Sequence, residues 1–240
     1  MSLSNRISKW IGQKVKEAKA KGVVVGISGG IDSACVAALS KMALGKNVLG
    51  LILPCESSPQ DERLARLVAK EFGIKLRKVS LGSVYRKFKS ILPASKKLCL
   101  ANIKPRLRMI SLYYFASKMN YLVAGSGNKS ELTVGYFTKY GDGGVDILPL
   151  GSLLKTQVRR LAKELGIPQE IIDRVPTAGL WQGQSDESEL GITYENLDKA
   201  ILAIESGKTS NFFSKEIVSK IKKRNKLSQH KLLSIPIYPK

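Results

Sequence analysis

Histidine is nearly absent: the 240 residues contain one, His230. A Ser–His or Cys–His nucleophilic pair, or a multi-histidine metal site, would have to use that side chain. The chemistry is therefore expected to need no histidine-activated nucleophile. Cysteine is scarce too. Cys35, Cys55 and Cys99 are odd in number and form no CxxC or Cys/His cluster. This argues against a disulfide framework or a zinc site and makes a reducing cytoplasm the expected compartment. No apolar run approaches the roughly 20 residues of a membrane span. The N-terminal stretch MSLSNRISKWIGQKVKEAKAKG has no signal-peptide core. It reads as a basic amphipathic helix over about 3–20, with Leu3, Ile7, Trp10, Ile11 and Val15 on one side. Acids are also short: 19 Asp and Glu face 40 Lys and Arg, a net charge of +21. That balance suits phosphate-rich small molecules or nucleic acid, and equally a solvated basic face.

What is present is a repeating change of period. Short runs rich in Val, Ile and Leu occupy Val23–Ile27, Val48–Leu53, Lys75–Ser80 and Tyr121–Ala124. Helical patterns lie between and after them, at Asp32–Leu44, Asp61–Phe72 and Pro105–Met119. A fifth strand is expected at Val145–Leu148, then a helix near Leu154–Leu165 that stops at Gly166 and Pro168. Alternation of this kind predicts an α/β fold: one doubly wound domain over 1–240, with a mostly parallel five-stranded sheet flanked by helices. The segment TAGLWQGQSDESELG reads as a loop. Helical patterns return at Tyr194–Ile204 and Ser214–Lys226, within a helical C-terminal region of about 193–240.

The first strand ends in Ser28-Gly29-Gly30-Ile31-Asp32-Ser33 and runs straight into a helix. Converging main-chain N–H groups and the helix dipole make such a turn an anion site, and bare glycines let phosphate oxygens approach. A tight turn with a capping serine would use similar residues. Neither GxGxxG nor the full ATPase pattern, a glycine and four further residues before Gly-Lys-Ser/Thr, is present. Instead a carboxylate, Asp32, stands beside the anion hole, where magnesium would reconcile it with phosphate. Glu131 lies just past the Tyr121–Ala124 strand. If that strand neighbours Val23–Ile27, both acids line one crevice at the sheet's reversal point.

SGGxDS resembles the pyrophosphate loop of enzymes that split ATP into AMP and pyrophosphate, the adenine nucleotide alpha hydrolase-like group. The stretch LVAGSGNKSELTVGYFTKYGDGGVDILPLGSLLKTQV is similar to the central region of the ammonia-dependent NAD synthetase family. NIKPRLRM, RVPTAGLW, ELGITYENLD and the late His230-Lys231 pair fit as well. The resemblance implies ATP contacts at Gly26, Ile27, Ser28, Gly29, Gly30, Ile31, Asp32, Ser33, Ser126, Lys155 and Thr177. It implies magnesium on Asp32 and Glu131, with Lys155 neutralising the departing pyrophosphate. Contacts to nicotinic acid adenine dinucleotide are implied for Arg106, Lys139, Asp146, His230 and Lys231. The family's KAR element is KPR here, so Arg106 and Arg108 both stand as candidates for its arginine. The implied reaction is ATP-dependent amidation of that dinucleotide by ammonia through an acyl-adenylate, giving NAD, AMP and pyrophosphate. Asp142, Asp146 and Asp173 are candidates to take the ammonium proton. Glutamine-using relatives carry a further amidase domain, for which no room is expected before Val23, so free ammonia is the expected donor. A homodimer is implied; neither nucleic acid nor membrane is expected as a partner. A tRNA-modifying ATP pyrophosphatase, or a non-catalytic nucleotide- or nucleic-acid-binding protein, would share the loop.

Overall fold

A computed structural model of the chain describes residues 1–181, 183–207 and 215–239. Four strands form: β1 Gly22–Gly26, β2 Val48–Ile52, β3 Lys75–Lys78 and β4 Tyr121–Ala124. Between them lie α1 Leu3–Glu17, α2 Ile31–Leu44, α3 Pro59–Glu71, α4 Gly82–Ile91, α5 Lys97–Ala101 and α6 Ile103–Met119. After β4 come α7 Lys129–Val134, α8 Lys155–Glu164, α9 Gln169–Ile172, α10 Asp186–Leu190, α11 Tyr194–Glu205 and α12 Lys215–Leu232. The pattern expected to begin at Ser214 thus starts outside the described residues. No described helix is long and apolar enough to cross a membrane.

The strands are all parallel, in the order β3-β2-β1-β4. Each of β1 and β2 is buried on both faces, as a continuous Val/Leu/Ile run requires. Val23 and Val25 point into a core with α1, α2, α3 and α8, while Val24 points the other way, towards α4 and α6. A third cluster joins α7, α10, α11 and α12 around the fully buried Tyr194. The outer strand β3 has the sequence KLRK and is largely exposed; its charges discourage further strand pairing.

Two expectations are corrected. The sheet has four strands, not five. Ile147 makes a single parallel bridge to Ala124. The reason is local: the Asp146 carboxylate itself accepts from the Val123 amide at 2.7 Å, and Pro149 follows, so a ladder cannot extend. The segment read as a loop after Thr177 also contains α10, whose acids Asp186, Glu187 and Glu189 suit the positive end of a helix. Pro105 does not displace its helix. It sits in the first turn of α6, where its missing N–H is not needed.

β1 is central, with β2 on one side and β4 on the other. The chain therefore winds outward from β1 through β2 to β3, then returns to pair β4 with β1. The reversal point lies between β1 and β4, and the segments after both strands open into the same crevice.

Candidate active site

The β1–α2 turn is held by its own serines. Ser28 and Ser33 hydroxyls are 3.0 Å apart, the Ser28 amide donates to Ser33 Oγ at 3.2 Å, and Ser33 Oγ donates to the Gly30 carbonyl at 3.0 Å. Gly30 is the N-cap of α2 and has no side chain of its own to cap the helix. The Gly30 amide donates to Ser28 Oγ at 3.3 Å, and among the described residues the Gly29 amide has no protein carbonyl as partner. The start of α2 thus keeps donors and its positive dipole end for an anion.

The two glycines differ in purpose, which adds a structural reason for glycine to the expected approach of phosphate. Gly29 has φ +78, and a Cβ there would sit 2.6 Å from the Asp61 carbonyl and 2.9 Å from Leu64 Cβ. At Gly30 the added atom would meet only Ser28 Oγ, at 3.4 Å. Gly29 is therefore demanded by α3, and Gly30 keeps the crevice side clear. Gly29→Ala is expected to lower unfolding stability by about 2 kcal/mol or more, measured by urea denaturation.

Asp32, in the first turn of α2, faces two partners across the crevice. Lys155 Nζ lies 2.5 Å from Asp32 Oδ2 and 3.4 Å from Glu131 Oε1. Asn128 Nδ2 donates to Asp32 Oδ1 at 3.0 Å. Asn128 is also the N-cap of α7, with a reciprocal capping box to Glu131: Glu131 N to Asn128 Oδ1 at 3.0 Å, Asn128 N to Glu131 Oε2 at 3.2 Å. The helix-start role of Glu131 and its place in the site are thus one arrangement. Tyr194 backs the cluster, with its hydroxyl 3.0 Å from Asp186 Oδ2 and its ring 4.9 Å from the Lys155 ammonium.

Lys155 is 2 % exposed and is the first residue of α8. Its amide donates to Ser130 Oγ at 2.9 Å, the Ser130 hydroxyl donates to Asp198, and the second Asp198 oxygen accepts from Thr156 N at 2.8 Å. Asp198, buried on α11, therefore fixes the helix start that carries the lysine. Burial works against the charge of Lys155, but Asp32 and Glu131 outweigh it and raise its pKa above the usual range. Burial pushes the Glu131 carboxyl up, and the nearby Lys155 charge opposes that rise.

Asp32, Glu131, Lys155 and Asp186 line one cleft of about 920 Å³. Of the residues expected from sequence, it brings together Gly26, Ile27, Ser28, Gly30, Ile31, Asp32, Ser33, Ser126, Glu131, Lys155 and Thr177. Arg106, Lys139, His230 and Lys231 line it too, at the α12 side. Lys139 Nζ donates to the His230 carbonyl, and Lys231 Nζ to the Gly135 and Phe137 carbonyls at 2.8 and 3.0 Å. Arg106 is exposed, 3.4 Å from the Lys139 carbonyl, whereas Arg108 turns inward to the Leu53 carbonyl and Ser57 Oγ. Asp146 lies outside this cleft, bonded to Tyr113 and Val123, and lines an adjoining cavity of about 220 Å³. Of the three candidate proton acceptors, Asp142 lines the cleft and Asp173 does not; Asp173 accepts from Gln169 instead.

Sequence reasoning missed Asn128, Tyr194, Asp186, Asp198 and Arg174. Arg174 donates to Asp61 and, at 3.2 Å, to the Gly29 carbonyl, so it braces the glycine turn from behind. The N-x-x-E spacing of Asn128 and Glu131 was the one readable signal. The others act over long sequence separations.

Comparison with known proteins agrees with the geometry. Residues 3–235 match the NAD synthase family. The NH(3)-dependent NAD(+) synthetase of Carboxydothermus hydrogenoformans is 48% identical over 95% of this chain and 93% of that protein. Among solved structures, NMN synthetase from Francisella tularensis superposes with a TM-score of 0.90 at 36% identity, covering 99% of this chain and 97% of that one. NH3-dependent NAD synthetase from Campylobacter jejuni, solved with a nitrate ion, gives 0.86 at 29% identity, covering 99% and 98%. With both sequence and fold matched along nearly its whole length, the chain belongs to the NAD synthase family.

Proposed function

We propose that this chain amidates nicotinic acid adenine dinucleotide with ammonia, at the expense of ATP, giving NAD, AMP and pyrophosphate. One observation carries the reading most directly: a buried lysine set between two carboxylates, beside a helix start with open amides, at the sheet's reversal point.

The chemistry explains why such a site is needed. A carboxylate is a poor electrophile and oxide is not a leaving group. Attack of the nicotinate carboxylate oxygen on the α-phosphorus of ATP forms an acyl-adenylate and breaks the bond to pyrophosphate. Ammonia then attacks the acyl carbon, and AMP leaves. The protein's contribution is positioning and charge neutralisation, with no covalent enzyme intermediate. The Ser28–Ser33 turn receives the departing pyrophosphate, and Lys155, held protonated by its two acids, offsets the charge that builds there. Thr177 and Ser126 border the nucleotide, while Arg106, Lys139, His230 and Lys231 face the dinucleotide. Asp142 is the cleft acid best placed among the three candidates to accept the ammonium proton.

Asp32 and Glu131 fit magnesium: two carboxylates with bound phosphate oxygens form the donor set that this ion favours. Asp32 and Glu131 would hold the ion, and it would supply neutralisation of the phosphate charge. The three cysteines are free, which suits a cytoplasmic enzyme.

A homodimer accounts for an apolar surface. Val84, Phe88 and Ile91 on α4 are exposed, and Ile110 and Tyr114 on the neighbouring α6 are 58% and 61% exposed. Phe88→Asp is expected to shift the protein to monomer in sedimentation velocity; an unchanged sedimentation coefficient would place the interface elsewhere.

The name of the Francisella neighbour motivates a second substrate, nicotinic acid mononucleotide. Pyrophosphate release should be measured with ATP, magnesium and ammonium plus either acid. Release that depends on the dinucleotide supports the reading; dependence on the mononucleotide alone would move the enzyme to the shorter substrate, and release with neither would remove it.

A further inference from the structure

Among the described residues two lysines are buried: Lys155 and Lys104. The reaction above uses the first. Lys104, at the start of α6, is 5 % exposed, and among the described residues its hydrogen-bond, ion-pair and ring partners do not include Asp32, Glu131 or Lys155. Its ammonium has three different neighbours. It donates to the Leu180 carbonyl at 2.9 Å, pairs with Glu56 Oε2 at 3.1 Å, and lies 4.9 Å from the centre of the Tyr85 ring. These come from three separate elements. Leu180 belongs to the segment after Thr177 that roofs the cleft, Glu56 to the connection from β2 to α3, and Tyr85 to α4.

A lysine suits that junction better than other side chains. Its three N–H bonds diverge, so a carbonyl, a carboxylate and an aromatic face can be met at once. The arrangement also has a direction. Among the described residues Leu180 is its partner in the roof segment. Lifting the roof strips a buried cation of one acceptor, which favours the closed position. One further contact supports that position: Lys97 lies 4.4 Å from the Trp181 ring centre. Glu56, the counter-charge, holds a left-handed backbone, φ +56, which is uncommon for a residue other than glycine, asparagine or aspartate. Such a conformation persists where surrounding contacts fix it.

We propose that Lys104 is a positioning residue: it latches the Leu180 carbonyl to Glu56 and thereby holds the roof, with Thr177 in it, over the nucleotide side of the cleft. The proposal rests on the ATP-dependent reading for its consequence in turnover, but not for the latch itself.

The test separates the two. Hydrogen exchange of the ligand-free protein is measured for Lys104→Met, Lys104→Arg and the unaltered chain, comparing the roof peptide with peptides of β1 and α2. Methionine keeps the apolar stem against Tyr85 and removes the ammonium. In Lys104→Met the roof should exchange about tenfold faster while β1 and α2 are unchanged. Lys104→Arg should restore part of the protection. In the amidation assay, kcat/KM for ATP should fall by about 10- to 100-fold in Lys104→Met, with partial recovery in Lys104→Arg. Unchanged roof exchange would overturn the latch, as would equal acceleration in the roof and β1, which marks a merely structural lysine. Should Lys104→Met fail to fold, Glu56→Gln keeps the lysine in place and must still loosen the roof selectively. An absence of amidation in the unaltered protein, with the exchange result as expected, would defeat the functional reading and leave the latch standing.

Discussion

Asp32→Asn is expected to lower kcat for amidation at least about 1,000-fold while the protein still folds. Asparagine matches aspartate in size, and its oxygen can still accept from Asn128 or Lys155, so the change is chiefly one of charge. That charge has two uses. It completes the carboxylate pair with Glu131 that suits magnesium, and it helps hold Lys155 protonated. Neither use is replaced, because Glu131 then stands as a single carboxylate where the site has two. The stability loss should be about 1–3 kcal/mol, since Lys155 keeps Glu131 as a partner at 3.4 Å. Steady-state kinetics with saturating ATP, alongside urea denaturation, reads both. A variant turning over within tenfold of the unaltered protein would overturn the proposed magnesium role of Asp32.

Lys155→Met has the larger effect on stability. The lysine is 2 % exposed, and without it two largely buried carboxylates, with side chains 16% and 17% exposed, face each other uncompensated. Breaking such a buried group of charges costs about 3 kcal/mol. Turnover should fall at least about 100-fold, because the charge that meets the departing pyrophosphate is gone. Lys155→Arg should not rescue it, since a planar guanidinium does not reproduce the compact ammonium charge between the two acids. The pH dependence has a definite sign. In Lys155→Met the Glu131 carboxyl is raised by burial and by the Asp32 charge, without the lysine charge that opposes that rise. The folded state then binds more protons than the unfolded state, and stability falls as pH rises. Thermal unfolding should show the variant closest to the unaltered protein near about pH 5 and furthest from it near about pH 8. A constant gap across that range would mean that the two acids are not mutually coupled.

The glycine turn was legible because it sits where the period changes from strand to helix, and because Asp32 beside an anion hole needs an explanation. The parallel sheet was legible for the same reason: runs such as Val23–Ile27 have no polar face to present to water. What failed were features made by side chains reaching across the fold. Asp146 takes the Val123 amide that a fifth strand would have used, and nothing in the spacing of those residues announces it. Gly29 was read as clearance for a ligand, and the second reason for it, the Asp61 carbonyl, lies 32 residues further along the chain. Asn128 and Asp198 look like ordinary helix residues in sequence. Their importance comes from where they reach: Asn128 to Asp32 over 96 residues, Asp198 to the amide of Thr156 over 42. Lys104 was passed over beside the arginines of KPRLR, because a run of cations reads as a solvated face until one of them is found buried.

The account depends on one event, attack of a substrate carboxylate on the α-phosphorus of ATP within the Asp32–Glu131–Lys155 cleft. Isotopic tracing tests it most directly. Nicotinic acid adenine dinucleotide carrying heavy oxygen in its nicotinate carboxylate is turned over with ATP, magnesium and ammonium, and the products are resolved by mass spectrometry. The account predicts one labelled oxygen in AMP and none in pyrophosphate. Label in pyrophosphate or inorganic phosphate, or unlabelled AMP alongside NAD formation, would contradict it.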